Sequence, residues 1–187
     1  NINFGLLSQM ALAELSINNE VNVFYRDASD FIRYVPDRVI RGIYKNTKQV
    51  EVTGIENSLS FVYKQLYDLQ INATYQNILN KTKTGYNGLI DTSYNTRIPN
   101  EPYLFANLRT GFTYFTEDYH KLSAHWSSYY VKQYFLYSEG DGYQDHNRDI
   151  PTQLTHDLEV DYSIEHGKYN IAFIANNITD ATVFDNY

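Results

Sequence analysis

Cysteine is absent from the 187 residues, so neither a disulfide framework nor a thiolate metal site exists in this chain. Positive charge is scarce: Lys and Arg number 15 against 22 Asp and Glu, giving a net charge of -7 and a pI near 5.1. No clustered basic surface of the kind that grips phosphate is present, which excludes nucleic acid as the partner. Long apolar runs are missing too, so no transmembrane helix is expected. A spanning β-barrel stays open, because only every second residue of its strands is apolar and mean hydropathy, here -0.49, remains low. What the chain has in excess is amphipathic rings, with 19 Tyr and an aromatic fraction of 16%.

Helical 3.6 periodicity is hard to find, whereas period-2 alternation recurs along most of the chain. The stretch THDLEVDYSIE shows it: Leu158, Val160, Tyr162 and Ile164 alternate with Asp157, Glu159, Asp161 and Glu165. About eight strands follow from this pattern, over Ile2 to Leu12, Leu15 to Arg26, Lys48 to Tyr63, Leu66 to Ile78, Tyr103 to Thr116, Lys121 to Leu136, Thr152 to Glu165 and Lys168 to Asn176. Tight turns are expected at Ala13-Glu14, Lys64-Gln65, Asp118-Tyr119-His120 and His166-Gly167. The other connections, Asp27 to Thr47, Leu79 to Pro102 and Tyr137 to Pro151, are long and polar. Short and long alternate strictly. In an antiparallel up-and-down sheet this gathers the tight turns at one end and the long loops at the other, the asymmetry of outer-membrane barrels.

A strand tilted by roughly 40° climbs about 2.5 Å per residue and needs about 10 residues to cross a bilayer. On that scale Phe61, Tyr114, Trp126 and Tyr162 lie near the tight turns, and Tyr25, Tyr75 and Tyr130 near the far rim. Between them come Ile17, Val21, Leu59, Ile71, Ala73, Phe112, Leu158 and Val160. The layout is two aromatic girdles around an apolar band. Lys132 and His156 fall at or above the far rim, while Asn19 and Ser128 fall nearer the middle; a local bulge would turn Asn19 away. The opposite face, with Glu56, Asn107, Arg109, Asp157, Glu159 and Asp161, is then expected to line a wet lumen and meet a plug. A soluble antiparallel sheet with one solvated face, such as a sandwich, produces the same alternation.

Several stretches resemble the C-terminal barrel of TonB-dependent outer-membrane receptors: VFYRDASDFI (Val23 to Ile32), YKNTKQVEVTGIENSLSF (Tyr44 to Phe61), RIPNEPYLFANLRTGFTY (Arg97 to Tyr114) and NNITDATVFDNY (Asn176 to Tyr187), in the family's order. The resemblance implies an all-β, antiparallel up-and-down transmembrane segment of a 22-stranded, plugged barrel, with short periplasmic turns and long extracellular loops. It also implies that residues 1–187 are its C-terminal portion, without the plug domain, the TonB box, the earlier strands and the final strand. Two sheet edges would then be open, which a membrane does not tolerate, so a larger polypeptide is expected.

Chemistry is sparse. The loop EGDGYQDHNRD (Glu139 to Asp149) places His146 beside Asp145 and near Asp141, the best candidate for a barrel hydrolase or a calcium site, although an acidic solvated loop looks the same. His120, His125, His146, His156 and His166 show no metal-ligand spacing, and no metal or cofactor is implied. Three Asn-x-Thr sequons, at Asn72, Asn80 and Asn177, carry no meaning in a bacterial barrel. Substrate capture falls to the long loops through Tyr34, Arg38, Arg41, Tyr86, Tyr94, Tyr143 and His146.

The resemblance implies a non-enzymatic importer in the bacterial outer membrane. Its partners are outer-membrane lipid, its own plug, the TonB complex through the missing N-terminal region, and a small-molecule nutrient complex. An iron complex, siderophore or haem, is the expected cargo, with corrinoids and oligosaccharides as alternatives. The competing readings are a structural or adhesive barrel closed at eight strands, a barrel hydrolase, and a soluble sandwich.

Overall fold

The computed structural model describes residues 1–35, 43–84, 88–116, 120–138 and 144–184. Among them are ten strands and no helix: β1 (Ile2–Leu12), β2 (Leu15–Val35), β3 (Ile43–Tyr63), β4 (Tyr67–Asn80), β5 (Leu104–Phe115), β6 (Lys121–Val131), β7 (Tyr134–Ser138), β8 (Gln144–Ile150), β9 (Gln153–Ile164) and β10 (Tyr169–Ala175). Eight form one antiparallel meander in the order β1-β2-β3-β4-β5-β6-β9-β10, and β7 pairs with β8 as a separate hairpin inserted between β6 and β9.

Three of the four expected tight turns use left-handed backbone, whose twist matches that of the strands they join, while Asp118 and Tyr119 of the fourth lie outside the described residues. Ala13 adopts φ 49° between β1 and β2, Lys64 and Gln65 adopt 54° and 57° between β3 and β4, and Glu165, His166 and Gly167 adopt 50°, 58° and 88° between β9 and β10. Lys64 Nζ also reaches Glu14 Oε2 at 3.0 Å, joining two of these turns. That hydrogen bond, with the neighbouring Tyr63, holds the ammonium above its ordinary range.

Two expected loops are largely strand. β2 and β3 run on to Val35 and back from Ile43, so the segment expected as a loop from Asp27 to Thr47 is mostly a hairpin. The expected strand Lys121 to Leu136 breaks after Val131, and the expected loop Tyr137 to Pro151 contains β8. The reason is common to both. Alternation announces a strand only where one face is apolar, and these extensions carry polar residues on both faces.

Directly paired residues share a face, and the pairing is continuous across the sheet. One row runs Leu6, Val21, Asn57, Ala73, Ala106, Tyr130 and Leu154 on the apolar side. Another runs Gln9, Asn18, Ser60, Gln70, Arg109, Ser127 and Asp157 on the polar side. The bulge invoked for Asn19 is not there, because β2 and β3 pair without a shift on either side of it. Instead Asn57 Nδ2 donates to Asn19 Oδ1 at 2.7 Å, and the two polar side chains on the apolar face satisfy each other. Ser128 is accommodated likewise, accepting from Trp126 Nε1 at 2.8 Å and meeting His156 Nδ1 at 2.8 Å.

The sheet is a single layer. Its accessible surface of 12597 Å² exceeds the roughly 9,300 Å² of a compact monomer of 21.9 kDa. The apolar face stands bare, with Phe4 at 69%, Phe112 at 53% and Phe173 at 62% exposure. A sandwich would bury those rings against a second sheet, so that reading falls. β1 and β10 are not paired with each other among the described residues, and the small closed barrel lacks its seam.

Burial concentrates at the end away from the tight turns. There residues 81–84 and 88–103 fold back: Ile98 donates its N–H to Ile78 O at 3.0 Å, Asn80 N–H bonds Thr96 O at 2.9 Å, and Gln49 N–H bonds Thr82 Oγ1 at 3.1 Å. Among the described residues Val50, Ile98, Phe24, Tyr134 and Phe135 are the buried apolar side chains.

Candidate functional site

The polar face is the larger assembly of chemistry-bearing side chains among the described residues. Register brings Glu56, Asn107, Arg109, Asp157, Glu159 and Asp161 to it, from β3, β5 and β9. Ser58 Oγ donates to Asn72 Oδ1 at 2.7 Å, and Asn72 Nδ2 donates to Asn107 Oδ1 at 2.9 Å, a ladder running across β3, β4 and β5. Arg109 Nη2 stands 3.6 Å from Glu159 Oε2, with both side chains partly exposed. Asp157 Oδ1 accepts the backbone N–H of Asn177 at 2.8 Å and so ties β9 to the segment after β10. Glu56 lines a shallow cleft of about 210 Å³ with Glu20, Asn22, Ser58 and Thr74.

Two features of this face were invisible to sequence reasoning. His125 faces Glu159 directly across β6 and β9, and its Nε2 lies 4.0 Å from Asp68 Oδ1 on β4. Between them sits Gly111, where a Cβ would collide with both side chains, so glycine leaves the space in which they meet. The ligand atoms of His125, Glu159 and Asp161 fall within 4.8 Å of one another, a composition that suits a divalent cation. Arg109 already brings positive charge to Glu159, and the group is accounted for as an ion-pair network. The second feature is Phe24, whose ring covers Gly54 and meets the Arg26 guanidinium at 4.9 Å. No sequence signal marks either, because both depend on cross-strand register.

On the opposite face register aligns Tyr25, Phe61, Tyr75, Tyr114, Trp126, Tyr130 and Tyr162. Of the residues expected to capture ligand, Tyr94 is exposed in the segment 81–103, with Lys83 Nζ 5.9 Å above its ring. Tyr34 lies in β2 opposite Tyr44, and His146 and Asp145 lie in β8, with their side chains outside the described residues. Arg38, Arg41, Tyr86, Asp141 and Tyr143 are also outside the described residues.

A family model described as TonB dependent receptor-like, beta-barrel, matches residues 13–178. The chain superposes on the ferric yersiniabactin uptake receptor FyuA from Yersinia pestis with a TM-score of 0.64 at 16% identity, covering 95% of this chain and 24% of that one. It is similar to BauA, the ferric preacinetobactin receptor from Acinetobacter baumannii, with a TM-score of 0.62 at 13% identity, and to the copper transporter OprC with 0.60 at 15%, the coverages being 95% and 24% in both cases. The chain thus spans about a quarter of the length of these structures. No curated protein matches its sequence. The family and these neighbours are receptors and transporters rather than enzymes, which removes the hydrolase built on His146. Continuous antiparallel pairing, one apolar face, one polar face and a family match over most of the chain agree: this protein belongs to the TonB-dependent receptor β-barrel family of the bacterial outer membrane.

Proposed function

We propose that this chain is the C-terminal wall of an outer-membrane importer that takes up a scarce nutrient complex when TonB acts on its plug. The observation that carries the reading is the two-faced sheet within a family-matched chain: eight strands keep one face apolar and the other polar without a break in register. In this reading the apolar face meets lipid, with Phe61, Tyr114, Trp126 and Tyr162 at the periplasmic headgroup level and Tyr25, Tyr75 and Tyr130 at the outer one. The polar face, with Glu56, Asn107, Arg109, Asp157, Glu159 and Asp161, meets the plug or lines its path. The TonB complex engages through a region outside these residues. We assign ligand capture to Tyr34, Arg38, Arg41, Tyr86, Tyr94, Tyr143 and His146.

The cargo we infer is an iron complex. Support comes from two of the three neighbours being receptors of ferric siderophores, while the third is a copper transporter. Protease protection of the complete receptor across ferric siderophores, haem, cobalamin and copper salts tests this. Protection by a ferric complex is expected, and protection by copper or cobalamin alone would remove the iron assignment while leaving import standing.

A further inference from the structure

Just beyond the outer ring of tyrosines, on the apolar face, two cations converge on one aromatic ring. The Arg97 guanidinium carbon stands 4.6 Å from the Tyr103 centroid and Lys132 Nζ stands 5.7 Å from it. Tyr103 meets Tyr75 edge to face at 6.4 Å. Pairing fixes the side: Arg97 bridges to Leu79, which shares the apolar face with Tyr75 and Asn77. Lys132 follows the last residue of β6 and donates its backbone N–H to Leu104 O at 2.9 Å, so it is anchored at the rim while remaining exposed.

The guanidinium is held in place. Nε donates to Asn77 Oδ1 at 2.7 Å and Nη2 to Tyr75 Oη at 3.2 Å, and since both acceptors are neutral they orient the charge without cancelling it. The neighbouring rim cation differs, because Lys81 Nζ is matched by Glu51 Oε1 at 3.2 Å. Glu51 shares the apolar face with Leu79 and is engaged by Lys81 and by the Tyr25 hydroxyl, whereas Arg97 and Lys132 project toward the lipid side against neutral side chains.

A cation beside an aromatic ring at headgroup depth is the arrangement that accepts a phosphate: the ammonium and guanidinium supply charge-assisted hydrogen bonds, and the rings position the headgroup's apolar neighbours. We propose that Arg97 and Lys132, held by Asn77, Tyr75 and Tyr103, bind the phosphate of an outer-leaflet lipid headgroup. The inference rests on the lipid-facing reading of the apolar face. It adds a specific lipid site to what would otherwise be two side chains reaching for water.

The test is native mass spectrometry of the complete receptor in neutral detergent, titrated with diphosphoryl lipid A, with the same lipid stripped of both phosphates, and with inorganic phosphate. The wild type is expected to hold the phosphorylated lipid in preference to the stripped one. Arg97→Ala/Lys132→Ala is expected to weaken it about thirty-fold, from two cations near a membrane surface, and Arg97→Lys/Lys132→Arg to keep most of the binding. Equal binding by the double alanine variant, or equal affinity for the stripped lipid, overturns the site. Competition by millimolar inorganic phosphate overturns the lipid assignment in favour of a free-anion site. The lipid-facing reading is measured separately by Ile71→Arg: if that variant inserts and unfolds like wild type, the failure lies in the underlying reading and not in this site alone.

Discussion

Replacing Ile71 with arginine should cost the folded receptor about 2–4 kcal/mol, the cost of a cation at the midplane of an outer-membrane barrel. Ile71 pairs with Leu59 on one side and Leu108 on the other, within the apolar face. It lies midway along β4 between Tyr67 and Tyr75. At roughly 2.5 Å of climb per residue that is about 10 Å from either ring, close to the centre of an apolar band about 25 Å tall. Tyr75→Arg, at the outer ring, should cost only about 0–1 kcal/mol by the same depth dependence. Thr74→Arg is the face control. Thr74 points to the polar side, paired with Glu56, where a cation gains an opposite charge and meets no lipid. The assay is urea unfolding of the complete receptor refolded into phosphatidylcholine vesicles, read by the mobility difference between folded and unfolded protein on unheated gels. The order Ile71→Arg, then Tyr75→Arg, then Thr74→Arg is expected. A Thr74→Arg penalty equal to that of Ile71→Arg would refute the assignment of faces, whatever the family match says.

Three further outcomes follow from particular contacts. Gly54→Ala puts a Cβ 2.7 Å from Tyr75 O and 2.8 Å from Phe24 Cε1, far inside ordinary contact, and should cost about 1–3 kcal/mol of unfolding free energy. Adding Phe24→Ala should return part of that loss, and strict additivity in the double-mutant cycle would show that ring and glycine are not coupled. Arg109→Ala should cost less than about 1 kcal/mol in the same assay, because the Arg109–Glu159 pair is partly exposed at 3.6 Å and solvent screens it; a larger loss would mean that the plug buries this pair in the complete receptor. Lys64 has a raised pKa in the folded state, so its contribution is present below pH 10.5 and lost as pH climbs through the raised value. Urea midpoints of wild type and Lys64→Gln should differ at neutral pH and converge in strong alkali.

The membrane-crossing part of the fold was legible because lipid on one side and water on the other impose polarity with period 2. β1, β4, β5, β9 and β10 fall within two residues of their expected ends. Where the chain leaves that asymmetric environment the signal disappears, and with it β2 beyond Arg26, the first five residues of β3 and the whole of β8. Asn19 shows the same limit from the other side. A single polar residue on the apolar face reads as a register error until the partner that satisfies it, Asn57 on the next strand, is known. Face assignment of Glu56, Arg109 and Asp157 needed only alternation within one strand. The meeting of His125 with Asp68 over Gly111 needed the register of three strands at once, which no single sequence states.

The length of the β2–β3 hairpin has a mechanical consequence. Each strand is 21 residues long, about twice what a bilayer crossing requires, and one register holds from Leu15↔Tyr63 to Val35↔Ile43, with the ladder interrupted at Asp30, whose φ is 56°. The interruption divides the hairpin into an inner ladder from Leu15 to Ser29 and an outer one from Phe31 to Val35. A load on the outer ladder therefore reaches the strands that carry Phe24 over Gly54 only through Asp30, the point at which the hairpin can bend.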